Sequence, residues 1–349
     1  MFAPGASAHH TPGTVAEMSE LYRELDANGT TTIVVGGGTH LGIGNPVLAE
    51  ASVSTERLGA VIDHQPEDLT LTVEGGMTVG AIDALLDPHR QTAALPETQP
   101  DATIGGVVAA GISGFRRNRF GPTRDRVLEV TVVTGDGRIV TGGARVVKNV
   151  SGYDLPRLAT GSFGALGVIV SVCLKLWPEP EARATVRLDD VTDAEHVHRP
   201  VAVLETEEGA WAYLQGPADE VASAATIGTI QSGEFTWPTF DAPGTAEMRV
   251  PPALVSEAVG RLDVPFIAQH GVGVVAVGSE DPDVLLPARS WCESVGGALV
   301  VTSRSGPADA APLIDPWGTA PPALSLQRRL IAGFDPHRIV NRGRLPGGI

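Results

Sequence analysis

Three glycine-rich segments contain the residues best suited to bind a ligand through the main chain. They cover residues 36–44, 103–111 and 161–167, and each lies next to the end of a strand-like stretch. Successive N–H groups in such turns form concave sites that bind phosphate oxygens without a lysine or arginine. One such segment alone would indicate only a tight turn. Three of them in the first half of the chain predict a site for a large dinucleotide with a buried pyrophosphate.

The spacing of these glycines disfavours a nicotinamide-dinucleotide site of the Rossmann type. That site needs a G-x-G-x-x-G sequence that runs directly from a strand into a helix. The first segment is GGGTHLGIG and is followed by Asn45-Pro46, so it has neither the spacing nor the helix. A cofactor that lies across several loops fits this pattern better.

Strands and helices must position the three segments. A strand at residues 32–35 leads into the first segment, after a helix whose start is marked by a capping box at Thr14. The second segment predicts a short helix of small residues, and Thr78 caps the helix before it. The sequence GDG at 135–137 indicates a hairpin, and an apolar strand at 168–176 follows the third segment. These elements predict an α+β domain.

A break at residues 177–180, with the sequence WPEP, is the predicted domain boundary. We expect residues 1–180 to form the domain that contains the glycine-rich segments, and residues 181–349 to form a second domain. Strand-like and helical stretches alternate beyond the break, as in a ferredoxin-like α+β cap that covers a cofactor held elsewhere. A last helix at 322–332 precedes a C-terminal segment that we expect to return to the first domain.

Charge and composition disfavour several classes of partner. The chain has 41 acidic and 25 basic residues, a formal net charge of −16, so its field repels nucleic acid and anionic membrane surfaces. We expect a cytoplasmic protein without a membrane span, because no leader and no long apolar run is present. Cys173 and Cys292 are too few for a disulfide framework or a cysteine-built metal site. We therefore predict no nucleic-acid partner and no metal.

Five motifs occur in a fixed order: GGGTHLGIG at 36–44, ATIGG at 102–106 with SG at 113–114, RDRVL at 124–128, VKNVSGYDL at 147–155 and GSFGALGVI at 161–169. Together they resemble the FAD-binding domain of the vanillyl-alcohol oxidase or PCMH family. Within that family they are similar to the FAD-binding E-type subunits of bacterial glycolate oxidases. The resemblance implies a PCMH-type fold in which two subdomains hold FAD between them.

The resemblance also implies which residues contact the FAD. Residues 36–41 would bind the pyrophosphate, residues 103–106 and 111–114 would lie along the pyrophosphate and the ring system, and residues 161–169 would contact the isoalloxazine edge or the adenine side. The implied cofactor-binding residues are Gly36, Gly37, Gly38, Thr39, His40, Leu41, Pro96, Asp101, Ala102, Thr103, Ile104, Gly105, Gly106, Gly111, Ser113, Gly114, Gly121, Asp125, Lys148, Tyr153, Gly161, Gly164, Gly167, Val168 and Ile169.

Two roles are open for His40 and for Lys148. Some members of the family attach FAD to a histidine that follows two glycines directly, whereas here Thr39 precedes His40. We therefore expect non-covalent FAD, with His40 donating a hydrogen bond or lining the loop. Lys148 is either the cation that tunes the flavin near N1 or N5 or a solvated lysine paired with Asp154.

FAD-dependent oxidation of a 2-hydroxy acid, such as glycolate or lactate, is the activity that the resemblance implies. This reaction needs a base for the hydroxyl proton and a cation for the carboxylate. The candidate bases are His270, which could equally be a structural histidine, and His337; Lys148 is a further catalytic candidate. The candidate cations for the carboxylate are Arg338, Arg342 and Arg344.

Four arginines between residues 116 and 124 form a basic concentration in an acidic chain. They could bind the phosphates of the cofactor, an anionic substrate or a partner, or they could pair with the surplus acids. These residues are Arg116, Arg117, Arg119 and Arg124.

The resemblance implies partners as well as a cofactor. We expect a catalytic FAD subunit and an iron–sulfur subunit in the same complex, with electrons passed to a partner. One alternative is a stand-alone FAD-linked oxidase of an alcohol or a sugar acid. Another is a flavin-binding support subunit that does no chemistry itself.

Overall fold

The computed structural model describes residues 5–145, 152–223, 226–242, 244–305 and 311–349. In these ranges the chain forms a small parallel sheet, two larger antiparallel sheets and a two-stranded ribbon. The predicted catalytic and cofactor-binding residue Lys148 lies outside them. No helix in the same ranges is both long and apolar enough to cross a bilayer.

The small parallel sheet ends where the first glycine-rich segment begins. Its strands are β1 (Ala8–His10), β2 (Thr32–Val35) and β3 (Ala51–Ser54), in the order β1-β3-β2. Helix α1 (Val15–Asn28) begins at the predicted cap, since the Thr14 side chain accepts a hydrogen bond from the Glu17 N–H. The apolar face of α1 packs on this sheet through Met18 and Val53, which are fully buried.

A five-stranded antiparallel sheet supports the other two glycine-rich segments. The elements in this part of the chain are β4 (Val61–Gln65), β5 (Thr70–Glu74), α2 (Val79–Leu86), β6 (Gln91–Thr92), α3 (Ile104–Ala110), α4 (Arg117–Phe120), β7 (Val127–Val133), β8 (Ile139–Gly143), α5 (Leu155–Ala159), β9 (Val168–Lys175) and β10 (Trp177–Pro178). The strand order in the sheet is β4-β5-β9-β7-β8, and β6 and β10 form the separate ribbon. Helix α3 lies against β9. Thr103 caps α3 by accepting a hydrogen bond from the Gly106 N–H, and Gly111, at φ 69°, ends it.

The second large sheet has eight antiparallel strands and consists of two ferredoxin-like units. The first unit contains β11 (Ala182–Leu188), β12 (Ala202–Thr206), β13 (Gly209–Gly216), α6 (Ala218–Ser223) and β14 (Thr229–Ser232). The second contains β15 (Thr245–Arg249), α7 (Val255–Val259), β16 (Phe266–Gln269), β17 (Val274–Val277), α8 (Pro282–Ser294) and β18 (Ala298–Ser303). In the sheet order β14-β11-β13-β12-β16-β17-β15-β18, each unit has its own fourth strand at the outer edge and its second strand at the centre.

The ferredoxin-like prediction is therefore confirmed, with two such units where one was expected. The sequence analysis assigned no strand to residues 182–188 or 229–232, which form β11 and β14, the first and fourth strands of the first unit. Without these two strands the four-strand pattern of that unit is incomplete, so the sequence does not indicate a repeat. The units meet where Leu204 of β12 lies opposite Gln269 of β16.

Residues 335–349, the C-terminal segment, return to the small parallel sheet after helix α9 (Leu324–Phe334). The buried Asp335 carboxylate accepts hydrogen bonds from the N–H groups of Ile339 at 3.0 Å and Val340 at 2.8 Å. Val340 then forms a parallel bridge with Thr32 of β2. The C-terminal segment thus lies beside the strand that leads into the first glycine-rich segment.

Removal of the Asp335 carboxylate should destabilise this return. In Asp335→Ala, two buried N–H groups lose their acceptor, and we expect a loss of about 2–3 kcal/mol in the free energy of unfolding. Urea denaturation followed by tryptophan fluorescence would measure it. Asp335→Asn retains one acceptor oxygen and should lose about half as much. An alanine variant as stable as the wild type would show that the carboxylate does not hold the segment.

Candidate cofactor-binding site

A cleft of about 700 Å³, partly open to solvent, lies where the three glycine-rich segments meet. The first segment, the N-terminal part of α3 and the loop before β9 form its walls. The predicted residues that line it are Gly36, Gly37, Gly38, Thr39, His40, Leu41, Thr103, Gly105, Gly106, Gly164, Gly167, Val168 and Ile169. The structure therefore brings together segments that are far apart in the sequence.

The first segment packs directly on the residues that precede α3. A Cβ on Gly36 would overlap the Thr103 side chain, and a Cβ on Gly37 would overlap the carbonyl oxygen of Asp101. Asp101 therefore packs against the back of the cleft wall through its main chain. Among the described residues, the N–H groups of Gly38, Thr39 and His40 have no acceptor, so they are available to phosphate oxygens.

The third segment wraps the C-terminal end of α3. The Phe163 N–H donates to the Ala109 carbonyl at 2.8 Å. A Cβ on Gly111 would lie 3.1 Å from the Cα of Gly161, so these two predicted residues pack on each other behind the cleft. Gly164, at φ 72°, turns the loop back toward β9.

His40 lines the cleft as a neutral side chain. Burial lowers its pKa, so at neutral pH the imidazole carries no charge. Its Nδ1 lies 2.9 Å from the Thr39 hydroxyl. A hydrogen-bonding or loop-lining role fits this environment, and the non-covalent attachment of the cofactor stays a prediction.

Two residues of the C-terminal segment also line the cleft, and the sequence analysis placed neither at the cofactor. The Asn341 side chain accepts a hydrogen bond from the Val34 N–H at 2.9 Å and donates to the Phe163 carbonyl at 2.8 Å, so it joins β2 to the third segment. Arg344 donates from Nη2 to the carbonyls of His40 at 3.0 Å and Leu41 at 2.8 Å. The only signal in the sequence was the expected return of the C-terminal segment to the first domain. The other lining residues that were missed are Ile33, Val34, Thr55, Ala109, Ala110 and Phe163.

The lining fits a flavin dinucleotide. Unpaired main-chain N–H groups on the first segment suit a pyrophosphate, while Ala109, Ala110 and Val168 offer small apolar surfaces to a ring system. A Cβ on Gly106 would meet only the Thr103 hydroxyl, at 3.1 Å, so a longer side chain there would enter the cleft. The space in the cleft therefore depends on the absence of side chains at its glycines.

Several predicted residues form a second cluster, around Arg126, and do not line the cleft. The fully buried Arg126 guanidinium donates to the carbonyls of Ala94 and Gly121, the latter at 2.7 Å. The predicted residues of this cluster are Pro96, Ser113, Gly114, Gly121 and Asp125, and two further predictions, Ala102 and Ile104, are fully buried in the core. The buried Arg126 guanidinium holds these loops together through their carbonyls, and contact of the predicted residues with FAD stays a prediction.

The structure does not bring either candidate histidine base to the cleft. His270 Nε2 lies 2.7 Å from the Glu205 carboxylate. Glu205 lies directly opposite Ala268 on the neighbouring strand, and residues opposite one another point to the same face of a sheet. Ala268 packs against α7 and α8, so Glu205 and its partner His270 lie on the face that the helices cover. The first domain contacts the other face, where Phe115 packs near Leu204. His337 is exposed and pairs with Asp26 at 2.8 Å, at the end of α1.

Tyr153 and two of the three candidate cations for a carboxylate also lie away from the cleft. Tyr153 is 96% exposed and does not line the cleft. Arg338 is half-buried and Arg342 is exposed, and neither lines the cleft, whereas Arg344 lines it and is buried against the first glycine-rich segment. Of the four clustered arginines, Arg116 pairs with Glu97 at 3.1 Å and Arg124 with Asp125 at 3.8 Å. Pairing with surplus acids, one of the two expectations, therefore holds for these two residues.

The His337–Asp26 pair should make stability depend on pH. The hydrogen bond and charge of Asp26 raise the pKa of His337, so protonation favours the folded state. The stabilisation is fully present below about pH 6.5, the ordinary histidine pKa, and disappears as pH rises through the folded value. We expect His337→Asn to lower the melting temperature more at pH 5.5 than at pH 8.5, as measured by thermal unfolding. The same loss at both pH values, or a dependence that persists in Asp26→Asn, would contradict this.

Comparisons with known proteins agree with the cleft. A family model described as FAD binding domain matches residues 6–143. The chain is 31% identical to glycolate oxidase subunit GlcE of Escherichia coli (strain K12), over 62% of this chain and 67% of that protein. It is 35% identical to D-2-hydroxyglutarate dehydrogenase of Xanthomonas citri pv. viticola, over 51% of this chain but only 38% of that protein.

The fold has solved relatives too. A structure of alkyldihydroxyacetonephosphate synthase superposes with a TM-score of 0.67 at 15% identity, over 95% of this chain and 76% of that one. The match to GlcE over two thirds of its length identifies the family, and the solved structure shows the same fold. The chain belongs to the PCMH-type FAD-binding oxidoreductases, and its cofactor is FAD.

Proposed function

We propose that this chain binds FAD non-covalently in the glycine-lined cleft and takes part in the oxidation of a 2-hydroxy acid, such as glycolate or lactate. The observation that carries the proposal is the convergence of three glycine-rich segments on one cleft with unpaired N–H groups. The substrate class is supported by relatives named as glycolate oxidase subunits and as D-lactate dehydrogenase.

Different residues of the cleft bind different parts of the cofactor. The N–H groups of Gly38, Thr39 and His40 bind the phosphates, and the small side chains of Ala109 and Ala110 leave space for a flat ring and exclude water from it. When bound, FAD supplies the group that accepts a hydride from the substrate. The protein supplies orientation and a dry environment for that step.

We propose a multi-subunit complex as the working form. GlcE and the 30% identical GlcD of Bacillus subtilis are both named as subunits. In this arrangement a catalytic FAD subunit and an iron–sulfur subunit would be the partners, and electrons would pass between them and this chain. The iron–sulfur partner and the cytoplasmic location stay predictions.

The positions of the histidines favour a second candidate function, a flavin-binding support subunit. His270 and His337 both pair with carboxylates away from the cleft. A chain whose candidate bases are engaged elsewhere can hold flavin for electron transfer while a partner subunit removes the hydroxyl proton. The stand-alone oxidase of an alcohol or a sugar acid remains a prediction that the same experiment tests.

Anaerobic reduction distinguishes the catalytic role from the support role. Oxidised flavins absorb at about 450 nm. We expect the purified chain, loaded with FAD, to lose this absorbance when glycolate or D-lactate is added without oxygen. Bleaching only in the presence of the partner subunits would support the second candidate function. Bleaching by an unrelated alcohol or sugar acid, but by no 2-hydroxy acid, would contradict the proposed substrate class.

Filling the cleft at Gly106 should weaken FAD binding. Gly106→Val extends into the space that the ring or phosphates need, and we expect about 10- to 100-fold weaker binding, because overpacking costs typically 1–3 kcal/mol. Titration of the apoprotein with FAD would measure this.

Gly333→Val is the matched control for this substitution. Gly333 lies in helix α9, and a Cβ there meets nothing within 4 Å. We expect it to bind FAD as the wild type does. Stoichiometric FAD of unchanged affinity in Gly106→Val would show that the cofactor does not occupy this cleft.

A further inference from the structure

Guanidinium groups engage three consecutive carbonyls of the first glycine-rich segment. Arg344 donates to His40 and Leu41, as described above, and Nε of Arg304, just after β18, donates to the Gly42 carbonyl at 3.2 Å. Both arginines lie outside residues 6–143, the part matched by the FAD binding domain model. Two residues that lie far beyond the first glycine-rich segment in the sequence thus bring positive charge to it.

Arg344 is a buried cation without an acidic partner. Its exposure is 6%, and in the described part of the chain its side chain contacts neutral carbonyls and no carboxylate. Burial, and to a lesser degree Arg304, lowers its pKa to about 10, so the group is still charged at neutral pH. A buried charge without a counter-ion is costly, which indicates that a negative charge completes this site.

The fold holds this cation rigidly at the cleft wall. The Arg344 carbonyl accepts hydrogen bonds from the Asn45 N–H at 3.1 Å and from the Trp317 indole at 2.9 Å. The Asn45 side chain also donates to the carbonyls of Gly343 and Leu345 on either side. These bonds fix the main chain at Arg344, and the carbonyls of His40 and Leu41 hold its guanidinium in place, which lowers the cost of binding a ligand.

We infer that Arg344 is the positioning residue that provides the counter-charge for the FAD pyrophosphate. It neutralises the partial negative charge of the His40 and Leu41 carbonyl oxygens, which would otherwise repel phosphate, and it adds a full positive charge beside N–H groups that carry only partial ones. This inference rests on the proposed FAD site and assigns to Arg344 a role in cofactor binding, in place of the substrate clamp expected from the sequence.

The test is the affinity of apoprotein variants for FAD and for two parts of it. Arg344→Met removes the charge at similar length, Arg344→Lys keeps a charge with fewer donors, and Arg342→Met is the exposed control two residues away. ADP contains the pyrophosphate without the flavin, and riboflavin contains the flavin without phosphate. Fluorescence titration measures FAD and riboflavin, and calorimetry measures ADP.

We expect Arg344→Met to bind FAD and ADP about 10- to 100-fold more weakly, as for the loss of charge-assisted hydrogen bonds. Riboflavin affinity should not change, Arg344→Lys should be intermediate, and Arg342→Met should match the wild type. Thermal unfolding of each apoprotein shows whether the variant is folded. If Arg344→Met is unfolded, the comparison of Arg344→Lys with the wild type decides.

Three results would overturn the inference. Unchanged FAD affinity in a folded Arg344→Met would show that its charge is not used. Equal losses for ADP and riboflavin would show that Arg344 only maintains the shape of the loop. A wild-type apoprotein that binds neither FAD nor ADP would remove the proposed function itself, whereas the first two results leave it standing.

Discussion

Direct packing of main chain on main chain is the constraint on which the rest of this structure depends. Around the cleft, a Cβ on Gly105 would lie 2.7 Å from the Gly75 carbonyl oxygen, and Cβ atoms on Gly75 and Gly37 would overlap the carbonyls of Ile169 and Asp101. Because glycine lets the first segment, α3 and the strands approach this closely, main-chain N–H groups reach the cleft wall. The clustering of glycines around the cleft is understandable in these terms, since main-chain layers that pack this closely cannot tolerate side chains between them.

Residues that are far from the glycine-rich segments in the sequence also hold the cleft together. Asn341 joins β2 to the third glycine-rich segment, and Arg344 joins the first segment to the C-terminal segment. Asp335 fixes the turn that delivers both residues. The family domain in the first part of the chain therefore supplies most of the walls, while residues that follow the ferredoxin-like units supply the bonds between them. If FAD occupies this cleft, as proposed, we expect stability of the C-terminal segment and affinity for the cofactor to be coupled.

Local signals in the sequence predicted local structure well. The side-chain caps at Thr14 and Thr78 begin helices where expected, because each depends on a few neighbouring residues. Glycine clustering also predicted the lining of the cleft, since a close approach of the backbone requires that residue type. Asn341 and Arg344 could not be found in this way, because their partners lie about 300 positions earlier in the sequence. The same limit explains His270, whose pairing with Glu205 depends on which strands meet at the centre of the eight-stranded sheet.

The sequence separation between the first glycine-rich segment and Arg344 has a consequence for biosynthesis. His40 and Arg344 are 304 positions apart, so a ribosome makes the loop long before the guanidinium that engages it. Throughout that interval the nascent chain has neither the hydrogen bonds of Asn341 nor the bridge at Val340. The bonds that join the cleft walls can therefore form only after almost the whole described chain has been synthesised.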